Sequence, residues 1–202
     1  MRLVPARSLD AAGLVRVQEI YEDGFAPRLR APFADLLADR AYVLLDSAPL
    51  GLAVVRELGD TGWMFLRYFV VGSRGGGLGG RMWALLRSAL GTAVVFDVED
   101  PDEHSITAEE EVIRRRRITF YTRLGAQLLP VRGYSPPHGD SSDPMLLMAT
   151  DLTDVRGTVQ AVYQHRYGLA EDHPIVERTL RLSGLTVPSG HELASGAGKS
   201  PR

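Results

Sequence analysis

The stretch at residues 66 to 90, LRYFVVGSRGGGLGGRMWALLRSAL, constrains the fold of this chain more than any other. It begins inside an apolar run at residues 63 to 71, whose β-branched and aromatic composition is typical of a strand buried on both faces. Glycines crowd residues 75 to 80, and after Arg81 the apolar residues recur at three- and four-residue steps, which predicts a helix ending at Gly91. A strand, a glycine loop and a helix predict an anion-binding site, because backbone N–H groups converge where side chains are absent.

Three kinds of phosphate loop have this general form, and the first is excluded. A P-loop needs a lysine that reaches the outer phosphates directly after its last glycine. Arg81 and Met82 occupy those positions, and the only lysine in the chain is Lys199.

The dinucleotide-binding fingerprint G-x-G-x-x-G is a second interpretation of the loop, since Gly75, Gly77 and Gly80 match it. Asp97 or Glu99 lies near the acidic position that this fingerprint expects about 20 residues later. Against it, a Gly-Ser-Arg tripeptide separates the strand from the first glycine, and its arginine would crowd the pyrophosphate. A dinucleotide oxidoreductase therefore remains an alternative.

The third template is R-x-x-G-x-G, with Arg74, Gly77 and Gly79 in register. A second motif, FYTRLGA at residues 120 to 126, places Tyr121 four residues before a glycine. Together the two motifs resemble the GNAT superfamily of N-acetyltransferases, the first its acyl-CoA pyrophosphate loop and the second its later F/L-Y-x-x-x-G-F element. Two departures are the missing proline before the loop and an alanine where the family commonly has an aromatic residue.

The resemblance implies an α/β (α+β) fold, with a mixed, mostly antiparallel central sheet flanked by helices, over residues 1 to 150. Residues 151 to 186 lie beyond it, and their apolar periodicity predicts an appended C-terminal helical segment. That segment is either an added cover or a self-association surface that would make a homodimer. Residues 187 to 202 have the composition of a disordered tail.

Composition excludes several classes of protein. A net charge of -2 gives no electrostatic reason to expect nucleic acid or an anionic membrane as a partner. The chain has no cysteine, which excludes disulfides and zinc–thiolate sites, and its five histidines are dispersed without ligand spacing, so no metal is predicted. No apolar run is long enough for a signal peptide or a membrane span, and we expect a cytoplasmic protein.

For function, the resemblance implies direct transfer of an acetyl group from acetyl-CoA to a primary amine, with both substrates bound together and no acyl-enzyme. Backbone N–H groups of the loop would hold the pyrophosphate, and an N–H late in the central strand would polarise the thioester carbonyl. The cofactor-binding residues are then Val70, Val71, Arg74, Gly75, Gly76, Gly77, Leu78, Gly79 and Gly80. A degenerate member that binds acyl-CoA without turnover is a further alternative.

The resemblance places Tyr121 where the family has the proton donor for the departing thiolate. A proton acceptor is also needed, because an alkyl amine with a pKa of about 10 is mostly protonated at neutral pH. The central strand, WMFLRYFVV, has no carboxylate or histidine. Asp97 and Glu99, on one face of the following strand, are the next candidates, and Glu99 is preferred because it is nearer the strand's C-terminal end. Either carboxylate would act as the base or bind the amine cation while water removes the proton.

Two loops are candidates for the acceptor site. In the resembled family the segment between the first two helices borders that site, so Glu22 and Asp23 are candidates for holding an amine. Tyr134 lies on a loop that is too long for a tight hairpin and is a candidate for substrate contact. The alternative interpretation is a solvated turn for the first loop and a mobile surface loop for the second. Glu22 and Asp23 would form an acidic rim together with Asp97 and Glu99, and such a rim would suit a cationic small molecule or a peptide N-terminus.

Residues 114 to 117 are four consecutive arginines. On a helix they point in four directions, so we expect most of them to be paired or solvated rather than to form one phosphate-binding patch. Arg117 is the exception, because it shares a stripe with Ile113, Phe120 and Leu124.

Overall fold

The computed structural model describes residues 1–73, 75–137 and 144–186. Arg74 and the tail expected at residues 187–202 lie outside these ranges. The strands are β1 (Arg2–Pro5), β2 (Arg40–Leu45), β3 (Pro49–Glu57), β4 (Met64–Val71), β5 (Val94–Glu99), β6 (Gln127–Leu128) and β7 (Met145–Ala149). The helices are α1 (Ala11–Gly24), α2 (Phe33–Leu36), α3 (Leu78–Leu90), α4 (Ala108–Arg123), α5 (Val155–Ala161) and α6 (Pro174–Leu182). A π-helical turn, Val162–Arg166, follows α5.

The strands form one seven-stranded sheet in the order β1-β2-β3-β4-β5-β7-β6. Every neighbouring pair is antiparallel except β4 with β5, which is parallel. The prediction of a mixed, mostly antiparallel central sheet flanked by helices, with a C-terminal helical segment, is therefore confirmed.

The central strands β4 and β5 pair only at their beginnings. The parallel ladder joins Met64 to Val94 and Phe65 to Val95, whereas β4 continues to Val71 and β5 continues to Glu99. After Phe65, β4 pairs only with β3, and after Val95, β5 pairs only with β7. The two strands therefore leave an opening between their C-terminal halves.

The two faces of the sheet carry different helices. On one face, Leu66 and Phe96 pack with Met82 and Trp83 of α3 and with Tyr121 of α4. The opposite face carries α1 on the β3 side and the C-terminal helices on the β5 side. Alternate strand residues enter opposite faces, as the pleat requires.

The C-terminal segment shares a hydrophobic cluster with the sheet. Phe65 of β4 and Val95 of β5 pack in one cluster with Val159 of α5 and with Val176 and Leu180 of α6. Each of these side chains is at most 4% exposed. The segment therefore completes the core of the sheet on this face. None of the described helices is long and apolar enough to cross a membrane.

Candidate active site

A cavity of about 540 Å³ lies between the glycine loop, the end of β4 and helix α4. It is lined by Phe69, Val70, Val71, Ser73, Gly75, Gly77, Leu78, Gly79, Gly80, Ile113, Arg116, Arg117, Phe120 and Tyr121. All the predicted cofactor-binding residues line it except Gly76, which lies in the loop between two lining residues, and Arg74, which lies outside the described residues.

The loop exposes its backbone to this cavity. Gly75, Gly76 and Gly77 have φ angles of 86°, 62° and 74°, in the left-handed region that glycine adopts without strain. Gly77 is the N-cap of α3, no described side chain caps that helix, and its first turn contains no acidic residue. The first N–H groups of a helix have no intrahelical partner, and the helix dipole places partial positive charge there. This end of α3 is therefore available to an anion.

Helices α3 and α4 approach each other closely beside the loop. A Cβ atom built on Gly79 would lie 3.1 Å from Cζ of Phe120, and one on Gly80 would lie 3.9 Å from Cδ2 of Leu124. The indole of Trp83 also donates a hydrogen bond to the carbonyl of Leu124, at 3.2 Å. Gly79 therefore has less space for a side chain than Gly80, and a larger residue at position 79 would push the two walls of the cavity apart.

Tyr121 lies on the cavity wall formed by α4. Its ring packs against Phe69, Trp83 and Phe96, with the Phe96 centroid 4.4 Å away. Burial raises the pKa of its hydroxyl above the ordinary value. No described group forms a hydrogen bond with that hydroxyl. The arrangement gives the cavity a protonated phenol that can donate a proton.

The arginine run divides between ion pairs and the cavity. Arg114 is buried and its guanidinium binds Glu103, while Arg115 binds Glu111, at 2.8 Å, on the solvent side. The expectation that most of the run would be paired agrees with these contacts.

Arg116 and Arg117 both line the cavity, and within the described residues only Arg117 has an ion pair there, with Glu99. Arg116 is exposed and has no ion pair among the described residues. Arg117 was singled out from the sequence, whereas Arg116 was missed. The helical period was the available signal, because residues three and four positions after Ile113 lie on the same face.

Glu99 is surrounded by guanidinium groups. Arg117 binds one of its carboxylate oxygens, and the other lies 3.7 Å from Arg114 and 4.0 Å from Arg28. Its side chain is 16% exposed and does not line the cavity. Glu99 therefore acts as an ion-pair acceptor in this structure.

Asp97 is held by two tyrosines on the face of the sheet opposite α3 and α4. Its Oδ2 atom accepts hydrogen bonds from the hydroxyls of Tyr134, at 3.1 Å, and Tyr167, at 2.7 Å. Burial, and then the charge of Asp97, raise the pKa of both phenols, so both remain donors. The structure thus brings together Asp97 and Tyr134, which were singled out separately. Tyr167 was missed, because it lies 70 positions from Asp97 in a segment that the resemblance does not cover.

Glu22 and Asp23 lie at the C-terminal end of α1 and do not line the cavity. Glu22 accepts a hydrogen bond of 2.7 Å from Gln18, and Asp23 is exposed. The end of α1 nevertheless touches β4, since a Cβ atom on Gly24 would lie 2.3 Å from Cγ2 of Val70. The two carboxylates are therefore near the end of β4, on the face opposite α3 and α4.

No protein-family model and no curated protein matches this sequence. Solved structures do match. A protein from Bacteroides thetaiotaomicron that is assigned to the GNAT family of acetyltransferases is 24% identical, with a TM-score of 0.69, over 84% of this chain and 99% of that chain.

Two further matches hold coenzyme A derivatives. Naa50 from Arabidopsis thaliana, in complex with the bisubstrate analogue CoA-Ac-MVNAL, is 14% identical, with a TM-score of 0.51, over 74% of this chain and 97% of that chain. The GphF GNAT-like decarboxylase, in complex with isobutyryl-CoA, is 16% identical, with a TM-score of 0.54, over 74% of this chain and 98% of that chain. The decarboxylase carries out a different reaction, so the fold alone does not fix the chemistry.

Proposed function

We propose that this chain, which has the GNAT acetyltransferase fold, is an acetyl-CoA-dependent N-acetyltransferase that acts on a primary amine. The observation that carries the proposal is the cavity between β4 and α4, whose wall includes the uncapped end of α3 and its glycine loop. The coenzyme A derivatives bound to relatives with this fold support the choice of acetyl-CoA as cosubstrate.

The backbone N–H groups of the loop and of the first turn of α3 would hold the diphosphate of acetyl-CoA. Arg116 would contribute positive charge from the facing wall, because it lines the cavity without a carboxylate partner among the described residues. Arg74, predicted to add charge at the loop, stays a prediction. Near the end of β4, the N–H of Val70 or Val71 would polarise the thioester carbonyl.

The reaction would proceed by direct attack in a ternary complex. The amine nitrogen forms a bond to the thioester carbon, the carbon–sulfur bond breaks, and the nitrogen loses a proton. Tyr121 gives its proton to the departing thiolate and regains one from solvent. We assign the acceptor's proton or its ammonium group to Asp97 ahead of Glu99, because Glu99 is already bound by Arg117.

The acceptor would enter from the face opposite α3 and α4 and reach the thioester through the opening between β4 and β5. Tyr134 would border this entrance through its bond to Asp97, and Glu22 and Asp23 would border it at the end of α1. A small molecule or a peptide N-terminus remains the proposed acceptor class. A cytoplasmic location and a homodimer remain predictions from the sequence.

The alternative of a protein that binds acyl-CoA without turnover is also supported by an observation. A module that binds acyl-CoA without turnover would agree with a β4 strand that contains no carboxylate or histidine and with a Glu99 engaged by arginines. A dinucleotide oxidoreductase is less well supported, because within the described ranges only β4 and β5 are parallel, whereas a dinucleotide-binding fold needs a mostly parallel sheet.

Two measurements on the intact protein test the proposal. Calorimetric titration with CoA and with NAD should show binding of CoA alone, and NAD binding in its place would overturn the assignment. Thiol release from acetyl-CoA in the presence of an amine panel should exceed the rate without amine. CoA binding with no amine-dependent release would instead favour the module without turnover.

A further inference from the structure

Arg166 has an unusual environment for a guanidinium group. It ends the π-helical turn after α5, and its Cζ atom lies 4.9 Å from the ring centroid of Tyr167 and 5.8 Å from that of Phe65. Its Nε atom is buried and has no hydrogen-bond partner among the described residues. No carboxylate pairs with Arg166 in the part of the chain that the structure describes. A buried charged donor without an acceptor is unfavourable, so this position suits an anionic ligand.

The carboxylate of Asp97, which contacts the same tyrosine as Arg166, carries the opposite charge. Both tyrosine hydroxyls donate to its Oδ2 atom, and no donor among the described residues reaches Oδ1. A carboxylate oxygen has room for further hydrogen bonds when its partner oxygen carries the existing ones. Asp97 as a residue is half-buried, so its Oδ1 atom is available to a cation.

These two opposite charges touch the same tyrosine without pairing with each other. Asp97 accepts a hydrogen bond from the hydroxyl of Tyr167, and Arg166 lies over the ring of that residue. Each charge keeps one hydrogen-bonding atom without a partner in the described structure. A ligand that carries both signs of charge would pair with the guanidinium group and the carboxylate at once.

The pair lies at the base of the opening in the sheet. Phe65, under the Arg166 guanidinium, is the last residue of β4 that pairs with β5. Val95 is the last residue of β5 that pairs with β4. Asp97 lies two positions after Val95 on the same strand, so its side chain is on the same face of the sheet. Phe65 and Val95 belong to the cluster on the C-terminal helix side, opposite α3 and α4. An acceptor that entered from this face would therefore meet both charges before it reached the thioester.

We propose that the acceptor is a small zwitterion, a free amino acid or a close analogue, whose ammonium group binds Oδ1 of Asp97 and whose carboxylate binds Arg166. The proposal rests on the proposed acetyltransferase function and narrows its substrate class. A peptide N-terminus has no carboxylate beside its amine and would leave Arg166 without a partner. The purely cationic acceptor expected from an acidic rim would do the same.

The test compares free L-amino acids with their α-carboxamides as acceptors, by thiol release from acetyl-CoA. The wild-type protein should favour the best amino acid over its own amide by about tenfold or more in kcat/KM, because the amide cannot form the charged contact. Arg166→Gln should abolish this preference through the KM of the amino acid and leave the kcat/KM of the amide within about twofold. Arg178→Gln, which removes the same charge from the exposed side of α6, should keep the preference.

Amides or peptides acetylated as well as free amino acids would overturn the proposal, as would acceptance of simple cationic amines alone or of no acceptor in either panel. A preference that survives in Arg166→Gln would overturn the role of that residue. The wild-type comparison needs no variant, so it stands even where Arg166→Gln does not fold. CoA titration of the same preparation distinguishes failure of the amino-acid substrate from failure of the acetyltransferase function. Binding of CoA without an amino-acid preference would overturn only the substrate class. Absence of CoA binding would overturn the proposed function itself.

Discussion

The two sites that we propose, one on each face of the sheet, would bind their ligands with different kinds of atoms. On the face of α3 and α4, the cofactor face, the site would hold the diphosphate with backbone N–H groups from residues adjacent in sequence, at Gly75–Gly80. On the opposite face, it consists of side chains from distant segments, with Asp97 bound to Tyr134, 37 positions away, and to Tyr167, 70 positions away. Backbone groups recognise a constant feature such as a diphosphate, whereas side chains change readily and set the individual substrate. The following changes test whether the two faces are functionally separate.

Gly77→Asp should have the largest effect on the cofactor face. The carboxylate would lie at the N-terminus of α3, where the diphosphate is proposed to bind, and like charges placed together should weaken CoA binding by about 100-fold or more. Aspartate and asparagine enter the left-handed region more readily than other residues with a side chain, so the fold should survive with a modestly lowered melting temperature.

Gly77→Asn is the matched control for this change, because it adds the same shape without the charge. It should lose far less affinity than Gly77→Asp in the same calorimetric titration. Equal affinities in the wild type and in Gly77→Asp would place the diphosphate elsewhere.

Tyr121→Phe should have the next largest effect, and on turnover rather than on binding. Removing a general acid typically lowers kcat by about 100-fold or more, while the ring remains in its aromatic cluster and the dissociation constant of CoA stays within about twofold. Tyr42→Phe, which alters a tyrosine packed against the same cluster but outside the cavity lining, should leave kcat unchanged. Wild-type turnover in Tyr121→Phe would remove the tyrosine from the mechanism.

Arg116→Gln should weaken CoA binding by about fivefold at low ionic strength, a smaller effect because the side chain is exposed and water screens its charge. Arg115→Gln removes the same charge from the neighbouring position, where the guanidinium already binds Glu111 and Asp102, and should change affinity by less than about twofold. The difference between the two variants should disappear at high ionic strength. Equal affinities for CoA at low salt would show that Arg116 does not face a phosphate.

The smallest expected effect is on the alkaline side of the pH profile. Burial raises the pKa of Tyr121, so the phenol keeps the proton it must donate even above the ordinary tyrosine value of about 10. The kcat of the wild type should therefore show no decline up to about pH 10. A fall in kcat at lower pH that is absent in Tyr121→Phe would mean that the hydroxyl ionises in the working range.

The cofactor face could be predicted from the sequence because its signals are local. A glycine run between a strand pattern and a helix pattern identifies the loop, the N-terminus of α3 and the neighbouring strand together. Tyr121 followed from a short motif for the same reason. Arg116 did not, because four consecutive arginines look alike. Which of them lacks an ion pair in the described structure depends on carboxylates such as Glu99, which lies 18 positions from Arg117.

The acceptor face could be predicted only in part. The alternation of β5 placed Asp97 and Glu99 on one face, but their partners come from α4, from the loop before β7 and from the C-terminal segment. Those contacts depend on tertiary packing, which no local pattern reports. The expected acidic rim therefore became two different environments, one rich in arginine around Glu99 and one rich in tyrosine around Asp97.

A crystal structure of the complex with acetyl-CoA tests the central claim most directly. We expect the diphosphate oxygens within hydrogen-bonding distance of the backbone N–H groups at the start of α3, and the thioester between the end of β4 and the hydroxyl of Tyr121. A diphosphate bound away from the glycine loop, or a cavity between β4 and α4 that stays closed to the coenzyme, would contradict the account.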